Sequence, residues 1–224
     1  MTGNDANAKQ DMIRCGISLA LGMLVVLWRV VMSTTVEITI GAVILVAALD
    51  LLLTGILVFI NKNELKEIFA KKYDKNVLSL NIIWCSAFYI GATILNLVIR
   101  LAYGAVTGVK EIPDAPAAWV ADQFQLIFPP GIFISTVIAA PIWEEIAFRM
   151  AGKRLFKNSV LFILVSSLLF AFIHTANFSF IDNSMYFIMG VSFCAMYLKT
   201  KDLKMIMIVH AVINVIGFIS FYGR

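Results

Sequence analysis

Apolar residues along this chain gather into seven runs, roughly 14–32, 36–60, 77–101, 131–150, 159–177, 184–199 and 203–222, each bounded by polar or turn-forming residues. Their lengths are close to the about 20 residues that carry an α-helix across the hydrocarbon of a bilayer. Backbone amides in lipid have no water to bond, so only helices or closed barrels span it. The runs are long and continuous, unlike the roughly ten-residue alternating segments of a barrel. The pattern predicts an all-α fold: a polytopic transmembrane helical bundle of about seven spans. Composition agrees, since 61% of the 224 residues are hydrophobic and 14% charged, against about 45–50% and about 25% in soluble domains.

The links between runs alternate in charge. Lys62, Lys66, Lys71, Lys72 and Lys75 follow the second run, Lys153, Arg154 and Lys157 the fourth, and Lys199, Lys201 and Lys204 the sixth. The long third link, residues 102–130, has Lys110 alone against Glu111, Asp114 and Asp122. Positive charge collects on the cytoplasmic side of membrane proteins, so the alternation predicts an N-inside, C-outside orientation. It also accounts for the net charge of +4 without a nucleic-acid partner. Within residues 61–76, Leu65, Ile68 and Phe69 recur among charges, the pattern of an amphipathic helix lying on the inner membrane surface. Residues 9–32 have the apolar character of a signal peptide, but Arg29 interrupts the run and no small-residue cleavage site follows clearly. Cys15, Cys85 and Cys194 are widely spaced and show neither metal-ligand spacing nor a disulfide framework. Pro113, Pro116, Pro129 and Pro130 break the third link, which is a candidate gate.

The fourth run ends in a charged turn, Glu144-Glu145-Ile146-Ala147-Phe148-Arg149. On insertion scales each charge at mid-bilayer costs about 2.5–3.5 kcal/mol, and each large aliphatic residue or Phe returns about 0.3–0.6 kcal/mol. Three such groups facing lipid would cost roughly 8–10 kcal/mol, so this turn should face other helices or a watery cavity. Glu145 and Arg149 are four residues apart and share a helix face, so they can pair. Glu144 lies about 100° around the helix and is left for chemistry. Pro141 lacks a backbone donor and is expected to kink the span. Asp50, in mid-span, reads as a helix-packing group or an ion-path residue, while Arg29 and Arg100 lie near outer ends and can snorkel.

Both histidines of the chain, His174 and His210, fall in the apolar runs that follow. If the fourth and fifth runs form a hairpin turning near Asn158–Ser159, Glu144 and His174 each lie roughly 22 Å from the turn, at matching depth. His210 and Asn214 are four residues apart on one face of the last run, roughly 13–20 Å from the preceding turn. A lone His or Asn in an apolar helix is more often a packing residue. Their occurrence in C-terminal spans that follow the charged turn favours a hydrolytic site, since Glu and His are the usual proton carriers of such chemistry.

Glu144-Glu145-x-x-x-Arg149, Phe170-x-x-x-His174 and His210-x-x-x-Asn214 together resemble the motif set of the CPBP intramembrane proteases, the CaaX-prenyl-protease and bacteriocin-processing (Abi) group. Gly190 and the run from Tyr197 to Leu203 before His210 are similar to that family as well, so the resemblance covers roughly residues 130–217. It implies an integrated membrane domain in which residues 1–129 supply N-terminal spans and 130–224 a catalytic helical core. It implies that Glu144 is a general base activating water, that His174 helps hold the water, that His210 and Asn214 stabilise the oxyanion, and that Glu145 and Arg149 brace the site. The substrate would be a peptide or membrane protein, such as a leader, pheromone or bacteriocin precursor, cleaved toward the cytoplasmic side of a bacterial plasma membrane. The metal is left open: Glu144, His174 and His210 could supply three zinc ligands, but H-E-x-x-H is absent and a metal-free glutamate mechanism uses the same residues, which is the reading favoured here. The contrasting expectation is a non-catalytic immunity or scaffold protein in which the same polar residues only hold helices together.

Overall fold

The computed structural model describes residues 3–35, 39–109, 128–175 and 180–222, except for the side chains of 3–7, 26, 28–35 and 221. Among these residues there are eight helices and no strand: α1 (Gly3–Thr35), α2 (Ile40–Ile60), α3 (Lys62–Ala70), α4 (Lys75–Thr107), α5 (Pro129–Leu155), α6 (Ser159–Thr175), α7 (Phe180–Thr200) and α8 (Leu203–Tyr222). A helix lies under each of the seven apolar runs, and α3 is the short amphipathic segment expected after the second. Helices α2, α4, α5 and α8 are long and apolar enough to cross a membrane, and α6 is apolar but 17 residues long. The protein is a polytopic transmembrane helical bundle. The Arg29 side chain and residues 110–127, with most of the proline-broken link, lie outside the described residues.

Local chemistry sets the helix ends. The Thr39 hydroxyl accepts from the Ala42 N–H to start α2, and the Asp74 carboxylate accepts from Asn76 and Val77 to start α4. The Asn158 side chain accepts from Val160 and Leu161 to start α6, and Asp202 accepts from Met205 to start α8. Each cap satisfies amide donors that the first turn of a helix leaves open. Gly108, at φ 73°, closes α4 in the left-handed region. The hairpin between α5 and α6 thus turns where the sequence places it.

Helix α5 is the axis of the bundle: 72% of its apolar window is buried, against 28%, 17% and 28% for α2, α4 and α8. Those three helices turn exposed Leu52, Ile83, Ile94 and Val212 outward, as lipid-facing spans do. Around α5, α1 packs on its C-terminal half and α2 and α8 on its N-terminal half, while α6 and α7 form a close hairpin that α4 covers. Trp143, Ile146, Phe148, Phe170, Phe193 and Met196 fill the centre.

Helix α5 is not regular. Residues 133–139 and 145–151 are wound as π-helix, and the Ala140 N–H bonds to the Ser135 carbonyl five residues back. The sequence reading expects a kink at Pro141, and the chain instead widens one turn before it. An α-helical turn would press the proline ring against the Val137 carbonyl, and π winding relieves that clash. The buried Asp50 carboxylate of α2 accepts from the Ser135 hydroxyl inside the first π segment, so its role is to tie two helices.

Close packing between α6 and α7 depends on Gly190, where a β-carbon would come within 2.9 Å of the Ser167 Cα. Gly190→Ala is expected to destabilise the bundle by about 1–3 kcal/mol, because backbone must move to admit it. Gly91→Ala, where nothing lies within 4 Å of the added carbon, should be neutral or slightly stabilising. Thermal unfolding of both variants in one detergent checks the contrast.

Candidate active site

The second π segment begins at Glu145, so α5 changes its winding within the charged turn. Glu144, Glu145 and Arg149 are all buried, at 1%, 0% and 0% exposure. Arg149 Nε lies 3.2 Å from Glu145 Oε2, which is the pair expected from the spacing. The Arg149 guanidinium carbon also sits 4.5 Å from the Phe170 ring centre and 5.0 Å from that of Phe193. These rings offer their negative faces to a cation withdrawn from water.

The other oxygen of Glu145 accepts from His210 Nδ1 at 2.8 Å. With its Nδ1 hydrogen committed to Glu145, His210 turns Nε2 toward Glu144, 3.8 Å from Oε2. Phe193 stacks on the imidazole, ring centres 4.6 Å apart and planes at 27°, which fixes the ring's rotation. The carboxylate that pairs with the arginine therefore also orients a histidine. The sequence reading assigns bracing to Glu145 but does not link it to His210.

His174 reaches the same place from α6. Its Nδ1 donates to the Phe170 carbonyl at 2.7 Å, which leaves Nε2 as the acceptor of the neutral ring. That Nε2 lies 4.0 Å from Glu144 Oε2. Tyr186 of α7 stacks on the imidazole at 4.5 Å and 18°, with Phe170 on it at 4.4 Å. Three helices, α5, α6 and α8, thus bring Glu144, His174 and His210 together. Tyr186 and Phe193 belong to the site's walls and carry no sequence motif, so only their contacts find them.

Asn214 is placed differently. Its amide nitrogen donates to the Thr136 carbonyl at 2.7 Å, about two helical turns before Glu144. Pro141 explains why. In π winding the Thr136 carbonyl should receive the N–H five residues on, and that residue is the proline; the Ala140 N–H is already given to Ser135. Proline in a membrane helix is tolerated where a neighbouring side chain satisfies the freed carbonyl, and Asn214 supplies that donor. Similarly, the Ser166 hydroxyl of α6 donates to the Phe148 carbonyl in the second π segment.

Among the described residues, no group of three or more His, Cys, Asp or Glu stands in metal-holding geometry. Donors sharing a tetrahedral zinc lie about 3.3 Å apart, whereas Glu144 Oε2 is 4.0 and 3.8 Å from the two histidine nitrogens.

The Thr136 contact yields a double-mutant test. Asn214→Ala is expected to cost about 1–3 kcal/mol of stability, because it leaves a part-buried carbonyl within a membrane span without its donor. In the Pro141→Ala background residue 141 regains an N–H that can reach Thr136, and the same Asn214→Ala change should cost measurably less. Equal costs in the two backgrounds, read from unfolding midpoints, would show that the proline and the asparagine are not coupled.

Residues 126–216 match the model of the type II CAAX prenyl endopeptidase Rce1-like family. The UPF0177 protein YaiH of Lactococcus lactis subsp. lactis (strain IL1403) is 35% identical over 144 residues, which are 63% of this chain and 60% of that protein. The UPF0177 protein in abiGi 5'region of Lactococcus lactis subsp. cremoris is 30% identical over 143 residues, 63% of this chain and 61% of that protein. The chain spans about three fifths of the length of these curated relatives. No solved structure matches it. The family match and both relatives agree with the Glu-Glu, His and His-Asn motifs gathered on α5, α6 and α8: over residues 126–216 the chain is similar to the type II CAAX prenyl endopeptidase Rce1-like family.

Proposed function

We propose that this protein is an intramembrane endopeptidase in which Glu144 activates water against a peptide bond of a membrane-associated or leader-type substrate. The observation that carries this reading is the arrangement of two histidine Nε2 atoms 4.0 and 3.8 Å from one buried carboxylate oxygen. A water donating to two acceptors at about 2.8 Å holds them about 4–4.5 Å apart. The Glu144–His174 separation fits such a bridge, with the neutral His174 accepting one hydrogen and Glu144 the other.

In the proposed reaction Glu144 takes a proton from the water as its oxygen bonds to the scissile carbonyl carbon. The carbonyl π pair moves onto oxygen. Protonated His210, held by Glu145 through Nδ1, donates from Nε2 to that oxyanion. Asn214 has two amide hydrogens, and with one given to Thr136 the second is the donor it would offer. As the tetrahedral intermediate collapses, the C–N bond breaks and Glu144 returns its proton to the departing amine. Donors fixed toward a developing oxyanion contribute roughly 3–4 kcal/mol each, because they need no reorganisation.

The proposed setting is a bacterial plasma membrane with the site toward the cytoplasmic side, in an N-inside, seven-span topology. The lysines of residues 62–75 and 199–204 support that orientation. Precursors of pheromone or bacteriocin type are the proposed substrates, since a site among apolar helices suits a short segment delivered from the membrane.

Glu144→Ala should leave inserted, folded protein and reduce peptide processing by at least about 10²–10⁴-fold, the usual contribution of a general base. Mass spectrometry of peptides released by wild-type, deletion and Glu144→Ala strains reads both the loss and the substrate. An unchanged peptide profile in both mutant strains would exclude the protease reading and leave the polar cluster as a scaffold. Purified protein is expected to keep its activity in chelator. Stoichiometric zinc, with activity lost to chelator and restored by zinc, would reverse the metal-free assignment.

A further inference from the structure

Away from the site, a cavity of about 320 Å³ lies where the end of α2, the amphipathic α3, α5 and α8 meet. Its walls are Val58, Leu65, Phe69, Ile142 and Met207, joined by Lys62 and Lys66. The volume is at the lower end of small-molecule pockets. The lining is apolar apart from the two ammonium groups, which stand four residues apart on α3 and so share one face. Both lysines are exposed, as are Phe59 and Phe69 beside them. The Lys62 ammonium lies 4.6 Å from the Phe59 ring centre. Aromatic and lysine side chains mixed in this way sit at the level of lipid headgroups.

The opposite charges of α3 are directed elsewhere. Glu64 is paired with Arg14 and with Arg154, and Glu67 does not line the cavity. Among the described residues, no acidic side chain lines the cavity beside Lys62 and Lys66. Lys71, Lys72 and Lys75 add to the positive field on the same side.

We propose that this cavity is a binding site for one anionic phospholipid, with its phosphate between Lys62 and Lys66 and an acyl chain against Val58, Leu65, Ile142 and Met207. A zwitterionic lipid presents the same chains, but its cationic headgroup opposes the lysines. Basic residues at a membrane surface attract anionic lipid with an energy that falls off within a Debye length. The bound chain spans α2, α3, α5 and α8, so occupancy tethers the interfacial helix to the span that carries Glu144. The site does not depend on the protease reading.

The test is native mass spectrometry of the full chain in detergent, titrated with phosphatidylglycerol or phosphatidylcholine of identical acyl chains. Wild type should bind one phosphatidylglycerol in preference to phosphatidylcholine and gain thermal stability from it. Lys62→Gln with Lys66→Gln should lose roughly 30-fold of that preference. Lys72→Gln with Lys75→Gln removes the same charge outside the cavity and should keep most of it. Val58→Trp, which fills the groove from its lipid side, should lower phosphatidylglycerol binding while both lysines remain. Equal affinity for the two lipids, equal loss in the two lysine pairs, or full binding by Val58→Trp would each overturn the proposal.

Discussion

The buried carboxylate of Glu145 is the constraint on which the centre of this bundle depends. Removing an ion from water has an effective penalty of several kcal/mol, which is offset only if good partners surround it. Here one oxygen faces Arg149 on its own helix and the other accepts from His210 on α8. Arg149, equally buried, lies against the faces of Phe170 and Phe193. Three helices besides α5 therefore contribute to stabilising one ion pair. Any sliding of α6, α7 or α8 along α5 would strip a charged group of its partner, so the pair sets the register of the bundle as well as contributing to its stability.

This arrangement separates two adjacent glutamates by environment. Glu145 has an arginine and an imidazole N–H, while Glu144 meets the Nε2 atoms of both histidines. The histidines differ as well. His174 is anchored by its own helix through the Phe170 carbonyl, and His210 by the partner carboxylate. In both cases the Nδ1 hydrogen is committed, which turns Nε2 inward. Aromatic stacking from α7 then limits rotation of each ring, through Tyr186 on one and Phe193 on the other.

The π winding of α5 links the backbone to this geometry. A widened turn releases carbonyls from their usual partners, and in lipid those groups need donors from neighbouring helices. Asn214 and Ser166 provide them at Thr136 and Phe148, and Asp50 ties the first π segment to α2 through Ser135. Residues that read from sequence as isolated polar positions in apolar spans thus share one purpose, which is to hold an irregular helix steady on either side of Glu144. The family match over residues 126–216 covers the part of the chain where this irregularity lies.

Helix content, membrane character and hairpin turns were legible in the sequence because hydrophobic run length and cap residues are local properties. The Glu145–Arg149 pair was legible for the same reason, since a four-residue spacing survives both α and π winding. Depth matching along a hairpin even placed Glu144 level with His174, because helical rise is nearly constant. The sequence alone did not show that His210 bridges both glutamates, that Asn214 answers Pro141, or that Tyr186 and Phe193 clamp the imidazoles. Those relations join residues far apart in the chain, and they depend on how each helix is rotated about its axis. Side-chain packing decides that rotation, so only the tertiary structure could determine it.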